Sequence, residues 1–198
     1  MHVTGAKRLI SRAADPLPRE GARVVLRRLR TDDLTAFQAY RADPEVGRFQ
    51  GWSPMPVSAA NAFLAGMNGA RFGIPGEWFQ LGIAERGTDR LIGDIGFCIC
   101  GPDNQHAEFG FSLAREFQGR GLAGEAMDMM IDLLFERTGV ARAVAITDAR
   151  NQACIRLLQR LRMRWVSEVP GVFRGEPCVK QVYVRSRGDQ AAWNDPLV

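Results

Sequence analysis

The sequence predicts a single mixed α/β domain, and three observations carry that prediction. Apolar periodicity switches between two residues and about 3.6 residues along the chain, in the order β-α-α-β-β-β-α-β-α-β-β. The 198 residues, 46% hydrophobic and 24% charged, suit one sizeable core. Neither an internal repeat nor a linker interrupts residues 22–187. The expectation is one sheet of about seven strands with about four helices on its faces. Residues 1–21 read as a flexible leader and 188–198 as a polar tail.

Each element has its own signal. Residues 23–29, mixed apolar and basic, read as a strand. Thr31-Asp32-Asp33 reads as a helix start, with a Thr cap and acids in the first turn. Leu34, Phe37 and Tyr40 give that helix an apolar side, and Asp43-Pro44 closes it. After the turn-rich connector 51–56, Ser58 is the expected cap of a second helix carrying Ala60, Phe63, Leu64 and Met67. Residues 78–85 and 90–100 form a hairpin. In residues 107–113, Ala107, Phe109, Phe111 and Leu113 point one way and Glu108, Gly110 and Ser112 the other.

A long helix then runs to about Arg137, with Leu122, Ala126, Met129, Met130, Leu133 and Leu134 as its buried stripe. Thr138-Gly139 ends it. Residues 141–147 make a short strand, and residues 151–163 a helix with Cys154, Leu157, Leu158 and Leu161 on one side. Strands near 165–173 and 179–185 finish the domain.

Composition excludes several classes. No apolar run approaches the ~20 residues of a membrane span. The basic N-terminus lacks an apolar signal core, so the expected compartment is the cytoplasm. Cys98 and Cys100 lie two apart with no second pair nearby, a poor zinc site, and the four cysteines read as reduced structural thiols; no metal is expected. The net charge is +4. The arginines are scattered without aromatic interleaving, which argues against a nucleic-acid surface. A basic surface for an anionic cofactor accounts for the charge equally well.

The sharpest local feature is Gln118-Gly119-Arg120-Gly121-Leu122-Ala123, between a strand and a helix. A helix start leaves backbone N–H groups unpaired and carries partial positive charge, so phosphate is a natural ligand there. Gly119, Gly121 and the small Ala123, with Gly124 beyond, leave that backbone bare. Arg120 adds a cation at the rim. A glycine-rich turn with no ligand fits the same six residues. A Walker loop is excluded because no Gly-Lys-Ser/Thr follows. A dinucleotide fingerprint fits poorly because the loop follows a hairpin deep in the chain.

Gln118-x-x-Gly121-x-Ala123 resembles the Q/R-x-x-G-x-G/A motif of the GNAT acetyltransferase superfamily. Ala107-Glu108-Phe109-Gly110-Phe111-Ser112-Leu113, Asp43-Pro44-Glu45-Val46 and Asp148-x-x-Asn151 resemble, more narrowly, the group that acetylates ribosomal-protein N-termini. The resemblance covers about residues 23–186. It implies a mostly antiparallel twisted sheet splayed in the middle. It also implies acetyl-CoA as co-substrate, with the pyrophosphate on Gln118, Gly119, Arg120, Gly121, Leu122 and Ala123. Phe111, Leu113 and Asn151 would hold the pantetheine arm. Asn151 also suits a plain N-cap, and the two roles are compatible.

Transfer to an amine needs an unprotonated amine, and an α-amine, with a pKa near ~8, needs only modest help. Glu108 is the candidate base, directly or through water; the alternative is an ordinary solvated or ion-paired glutamate. Cys154 stands where the related group commonly carries Ser. It is the candidate proton donor to the leaving thiolate, or else a small filler on a buried helix face. Arg162-Met163 departs from the Gly-Phe that usually closes that helix. Cys154 has no His within its own segment, which argues against a cysteinyl acyl-enzyme. The first helices, the Trp52 connector and the 165–184 hairpin should set the acceptor. Trp52, Trp78 and Phe173 are pocket candidates or core.

Three functions follow: acetylation of a protein N-terminus, acetylation of a small-molecule amine or antibiotic, or a CoA-binding sensor without catalysis. The chain is expected to be a monomer or homodimer.

Overall fold

The computed structural model describes residues 15–101 and 104–188. The expected leader lies outside the described residues over 1–14, and the expected tail over 189–198. The strands are β1 (Arg19–Glu20), β2 (Val24–Arg28), β3 (Trp78–Glu85), β4 (Leu91–Cys100), β5 (His106–Leu113), β6 (Arg142–Asp148), β7 (Arg164–Phe173) and β8 (Glu176–Ser186). The α-helices are α1 (Leu34–Ala42), α2 (Pro44–Gly47), α3 (Val57–Gly69), α4 (Leu122–Arg137) and α5 (Gln152–Arg160). All eight strands form one sheet in the order β1-β2-β3-β4-β5-β6-β8-β7. Only β5 and β6 run parallel, and α4 makes the crossover that parallel neighbours require. Among the described residues no helix is long and apolar enough to cross a membrane.

Two elements exceed the expected seven strands and four helices. The two-residue β1 pairs with Leu26 and Val25 of β2. The four-residue α2 starts on Pro44, with Asp43 Oδ1 accepting from Glu45 N at 2.9 Å. Neither is long enough to show a period.

Two expected caps are corrected. Thr31 opens a short 3₁₀ turn whose N-cap is Arg30. The carboxylate that matters is Asp33, which accepts from Arg30 N at 2.8 Å and pairs with the buried Arg27 guanidinium at 2.8 Å. Likewise α3 begins at Val57 after Pro56, so Ser58 lies inside the helix. The α4 stripe gains Met127 and Ile131, while Met129 is only half-buried. Thr138 closes α4, its Oγ1 donating to Leu134 O at 2.5 Å. Helix α5 stops at Arg160, and Arg162 takes a left-handed φ of 57° where glycine is usual.

A buried ion pair locks α1 onto the sheet. Asp94 of β4 is 2% exposed and Arg41 of α1 is 4% exposed. Arg41 Nη2 donates to Asp94 Oδ2 at 3.0 Å, Gln80 Nε2 donates to Oδ1 at 2.7 Å, and the Tyr40 hydroxyl donates as well. The Arg41 guanidinium lies over the Phe37 and Trp52 rings, 4.3 and 4.9 Å from their centroids. Every strong polar atom of Asp94 is therefore answered, which is the condition for a tolerable buried charge. Asp94→Ala would strand Arg41 without its counter-ion. It should lower stability by about 3–5 kcal/mol, read from the midpoint of urea unfolding; a loss below about 1 kcal/mol would show that the pair does not anchor α1.

Candidate functional site: a parted sheet and a bare helix start

The site begins where β5 and β6 part. They pair only at His106↔Arg142, Ala107↔Ala143 and Glu108↔Val144. The splay implied by the family resemblance is thus present. Backbone groups of successive strand residues face opposite neighbours. Ala114 N bonds to Ile92 O on the β4 side, so the odd-numbered residues of β5 face away from β4. Beyond Glu108, Phe111 and Leu113 therefore direct N–H and C=O groups into the gap with no strand to receive them. Side chains answer the two carbonyls: Gln50 Nε2 donates to Phe111 O at 2.9 Å and Gln118 Nε2 to Leu113 O at 2.8 Å. The N–H groups of the same residues point into the same gap.

The loop after β5 ends against this gap. Gly119 and Gly121 have φ of +72° and +78°, in the left-handed region that disfavours side chains. A Cβ at Gly119 would meet nothing within 4 Å, so the backbone there is open. Gly121 is the N-cap of α4, and no side chain caps that helix. The first-turn amides of Leu122, Ala123 and Gly124 precede the first helical bond, Glu125 N to Gly121 O. Leu122 buries its side chain, and Arg120 is exposed at the rim. Gly124 has a second role: its missing Cβ would lie 3.5 Å from Leu157 Cδ1, so it brings α4 and α5 together. An uncapped helix start, a bare loop and an unpaired strand edge share one gap, and this donor set fits a pyrophosphate joined to an amide-bearing arm.

Local sequence reading missed the buttress of that loop. Arg23 Nη1 donates to Arg120 O at 2.8 Å, and Arg23 Nε to Glu125 Oε2 at 2.9 Å. Burial alone would raise the Glu125 carboxyl, but hydrogen bonds from Arg23 and Val24 outweigh it and hold the group below its ordinary 4.5.

Titratable groups stand on both faces of the sheet. Register pairs Glu108 with Cys98 and Val144, and Gly110 with Gly96, so Glu108 shares a face with a glycine floor. Trp78, opposite Cys98, is 55% exposed beside it. Helix α1 and the Trp52 connector cover this face farther along, where Trp52 Nε1 reaches Ser112 Oγ at 3.3 Å. Burial pushes the Cys98 thiol up, and nearby Cys100 and Glu108 add to it.

Cys154 is on the other face. Asn151 caps α5, its Oδ1 accepting from Cys154 N at 3.2 Å. Burial raises the Cys154 thiol above its ordinary 9.0 despite a hydrogen bond with Thr147. Thr147 of β6 alternates with Val144 and Ile146, hence faces away from Glu108. Glu108, at the last β5–β6 pair before the gap, and Cys154 therefore lie on opposite faces of the sheet. Tyr183 of β8, 3% exposed, lies within electrostatic reach of Cys154; it comes from a strand 29 positions on (183 minus 154), so no helix motif could reveal it. Of the pocket candidates, Trp52 and Phe173 are half-buried and only Trp78 is exposed.

Comparison with known proteins agrees with this geometry. Residues 23–164 match the model of the acetyltransferase (GNAT) domain. The chain is 31% identical over 140 residues to "Uncharacterized N-acetyltransferase p20" of Bacillus licheniformis, covering 70% of this chain and 78% of that one. The acetyltransferase (GNAT family) structure from Bacillus anthracis superposes with a TM-score of 0.74 at 18% identity, covering 84% of this chain and 96% of that one. RimL, a ribosomal L7/L12 α-N-protein acetyltransferase solved in complex with coenzyme A, superposes at 0.70 with 15% identity over 84% of this chain and 95% of that one. The last two show the shared fold. The family match and the curated relative mark the chain as an acyltransferase of the N-acetyltransferase type. The chain belongs to the GNAT acetyltransferase family.

Because the folded Glu125 pKa is depressed, its stabilisation is present above about pH 4.5 and is lost as pH falls through the lower folded value. Glu125→Gln should flatten the acid limb of melting temperature against pH below about pH 5; an unchanged limb would remove the buttress. Gly121→Ala, which places a Cβ 3.3 Å from Arg23 Nη2 at positive φ, should cost about 1–2 kcal/mol of stability. It should also weaken coenzyme A binding measured by calorimetry; undiminished affinity would show that the loop does not hold the ligand.

Proposed function

We propose that the chain transfers an acetyl group from acetyl-CoA directly to a primary amine, with a protein N-terminal α-amine as the preferred acceptor. One observation supports this most: the gap between β5 and β6 is flanked by Glu108 on one face and Cys154 on the other, with the bare α4 start at its end. Acetyl-CoA supplies the activated acyl thioester. The amides of Gly119 to Gly124 hold its pyrophosphate, with Arg120 at the rim. The N–H groups of Phe111 and Leu113 hold the pantetheine arm. The oxygen of Asn151 is used in capping, which leaves its Nδ2 to donate to the same arm.

Glu108 takes the proton of the incoming amine, directly or through a water on the Gly96–Gly110 floor. The new C–N bond forms as the C–S bond breaks. Cys154, kept protonated at neutral pH by burial, gives a proton or hydrogen bond to the departing sulfur on the far side of the gap. An α-amine with a pKa near ~8 needs only one carboxylate to be deprotonated in time, whereas a lysine amine near ~10.4 needs more. The relation to RimL, which acts on the L7/L12 N-terminus, favours the same choice. The alternative acceptor is a small-molecule amine, and the alternative class is a CoA sensor without turnover.

Thiol release from acetyl-CoA with a panel of peptides and small amines tests this. Glu108→Gln should lower kcat by about 10²–10⁴ with acetyl-CoA affinity retained; wild-type turnover would remove Glu108 from the chemistry. Cys154 must be protonated to act, so its activity is kept below its raised pKa and lost above it. Cys154→Ala should therefore abolish the alkaline limb of kcat that lies above pH 9.0. A limb that persists unchanged in the variant would assign the acid elsewhere. Coenzyme A binding with no release across the panel would favour the sensor.

A further inference from the structure

The connector between α2 and α3 is fastened at both sides. On one side Gln50 and Trp52 dock on β5 through the Phe111 carbonyl and Ser112 hydroxyl. On the other, the β7–β8 hairpin reaches across to it. Pairing of β6 with β8 ends at Asp148↔Lys180, whereas β7 and β8 stay paired through Phe173↔Glu176. The hairpin therefore runs past β6 as a two-stranded ribbon, a form with little stability of its own. Its turn, Arg174-Gly175, has φ of 52° and 84°. There Arg174 Nη2 donates to Gly47 O at 3.0 Å and, more loosely, to Gln50 O at 3.4 Å.

The partners lie far apart in the chain: Gln50 and Phe111 by 61 positions, Arg174 and Gly47 by 127. In the sheet, β6 and β8 separate β5 from β7. The Gly47–Trp52 stretch consequently crosses the open side of the gap from β5 to the hairpin tip. Gln50 is its central knot: the side chain holds β5 while the carbonyl is held by Arg174. Next along β5 from this docking point, on the face of Ser112, lie Gly110 and its partner Gly96, which project no side chain, and a Cβ at Gly110 would meet nothing within 4 Å. The Trp78 ring lies against that floor at Gly96, and Trp52 stands at its end on Ser112.

We infer that Arg174 and Gln50 form a strap that sets the width of the acceptor portal over Glu108. It admits an amine borne on a slender, extended chain and excludes one borne on a bulky rigid scaffold. A planar guanidinium suits two neighbouring carbonyls better than a flexible ammonium does. The strap positions; it does not touch the reacting atoms. The inference rests on the amine-transfer reading above.

The test compares wild type with Arg174→Ala, Arg174→Lys and Gln50→Ala, using a short peptide amine and a bulky amino sugar as acceptors. In Arg174→Ala the peptide-over-sugar ratio of kcat/KM should fall about tenfold, mainly through a lower KM for the sugar. KM for acetyl-CoA and the Cys154-dependent alkaline limb of kcat should stay put, and amide exchange over residues 47–52 should quicken. Gln50→Ala should relax the ratio similarly and Arg174→Lys less, which keeps the test alive if one variant folds badly. Faster exchange with an unchanged ratio in the Arg174 and Gln50 variants would make the strap purely structural and overturn the inference. Wild type that releases no thiol with either amine would instead overturn the transfer reading, and the inference with it.

Discussion

The parting of β5 from β6 after three residue pairs is the constraint on which the rest of the molecule depends. A sheet gains stability from paired backbone groups, and an opening in its middle leaves polar groups that must be met by something else. Here the carbonyls of Phe111 and Leu113 are met by Gln50 and Gln118. The remaining N–H groups and the uncapped start of α4 stay unanswered by any strand or cap. The loop backbone and the uncapped start of α4 thus stand at the same opening, where an anionic, amide-bearing ligand fits.

Holding an open sheet requires rigid flanks. On one side the Asp94–Arg41 pair ties α1 to β4, and Arg41 in turn lies against Trp52. On the other, Arg23 ties β2 to the loop through the Arg120 carbonyl and Glu125. Gly124 lets α4 approach α5 at Leu157. These contacts fix the faces of the gap separately. Glu108 on one face and Cys154 on the other do not touch each other, so each can be tuned by its own surroundings.

The parts legible in the sequence were those with a local signal. Strand β5 shows strict alternation from Ala107 to Leu113, and the loop announces itself through Gly119 and Gly121, both at positive φ. The hairpin and the two long crossover elements follow from period and length. The caps at Thr31 and Ser58 were misplaced because capping was read from residue type alone. In the fold Asp33 serves both Arg30 and Arg27, and Pro56 precedes the α3 start. Elements of two and four residues carry no period. Arg23, Gln50, Arg174 and Tyr183 escaped because their partners are 29 to 127 positions away (154 to 183, and 47 to 174); only the folded chain brings them together.

The central claim is that the β5 edge and the α4 start are two ends of one cofactor site. Amide hydrogen exchange with and without coenzyme A addresses both ends in a single experiment. The account predicts slowed exchange at Phe111, Leu113 and residues 119–124, with β1 to β3 unchanged. Protection confined to one end, or spread over the β7–β8 ribbon while the gap exchanges freely, would contradict it.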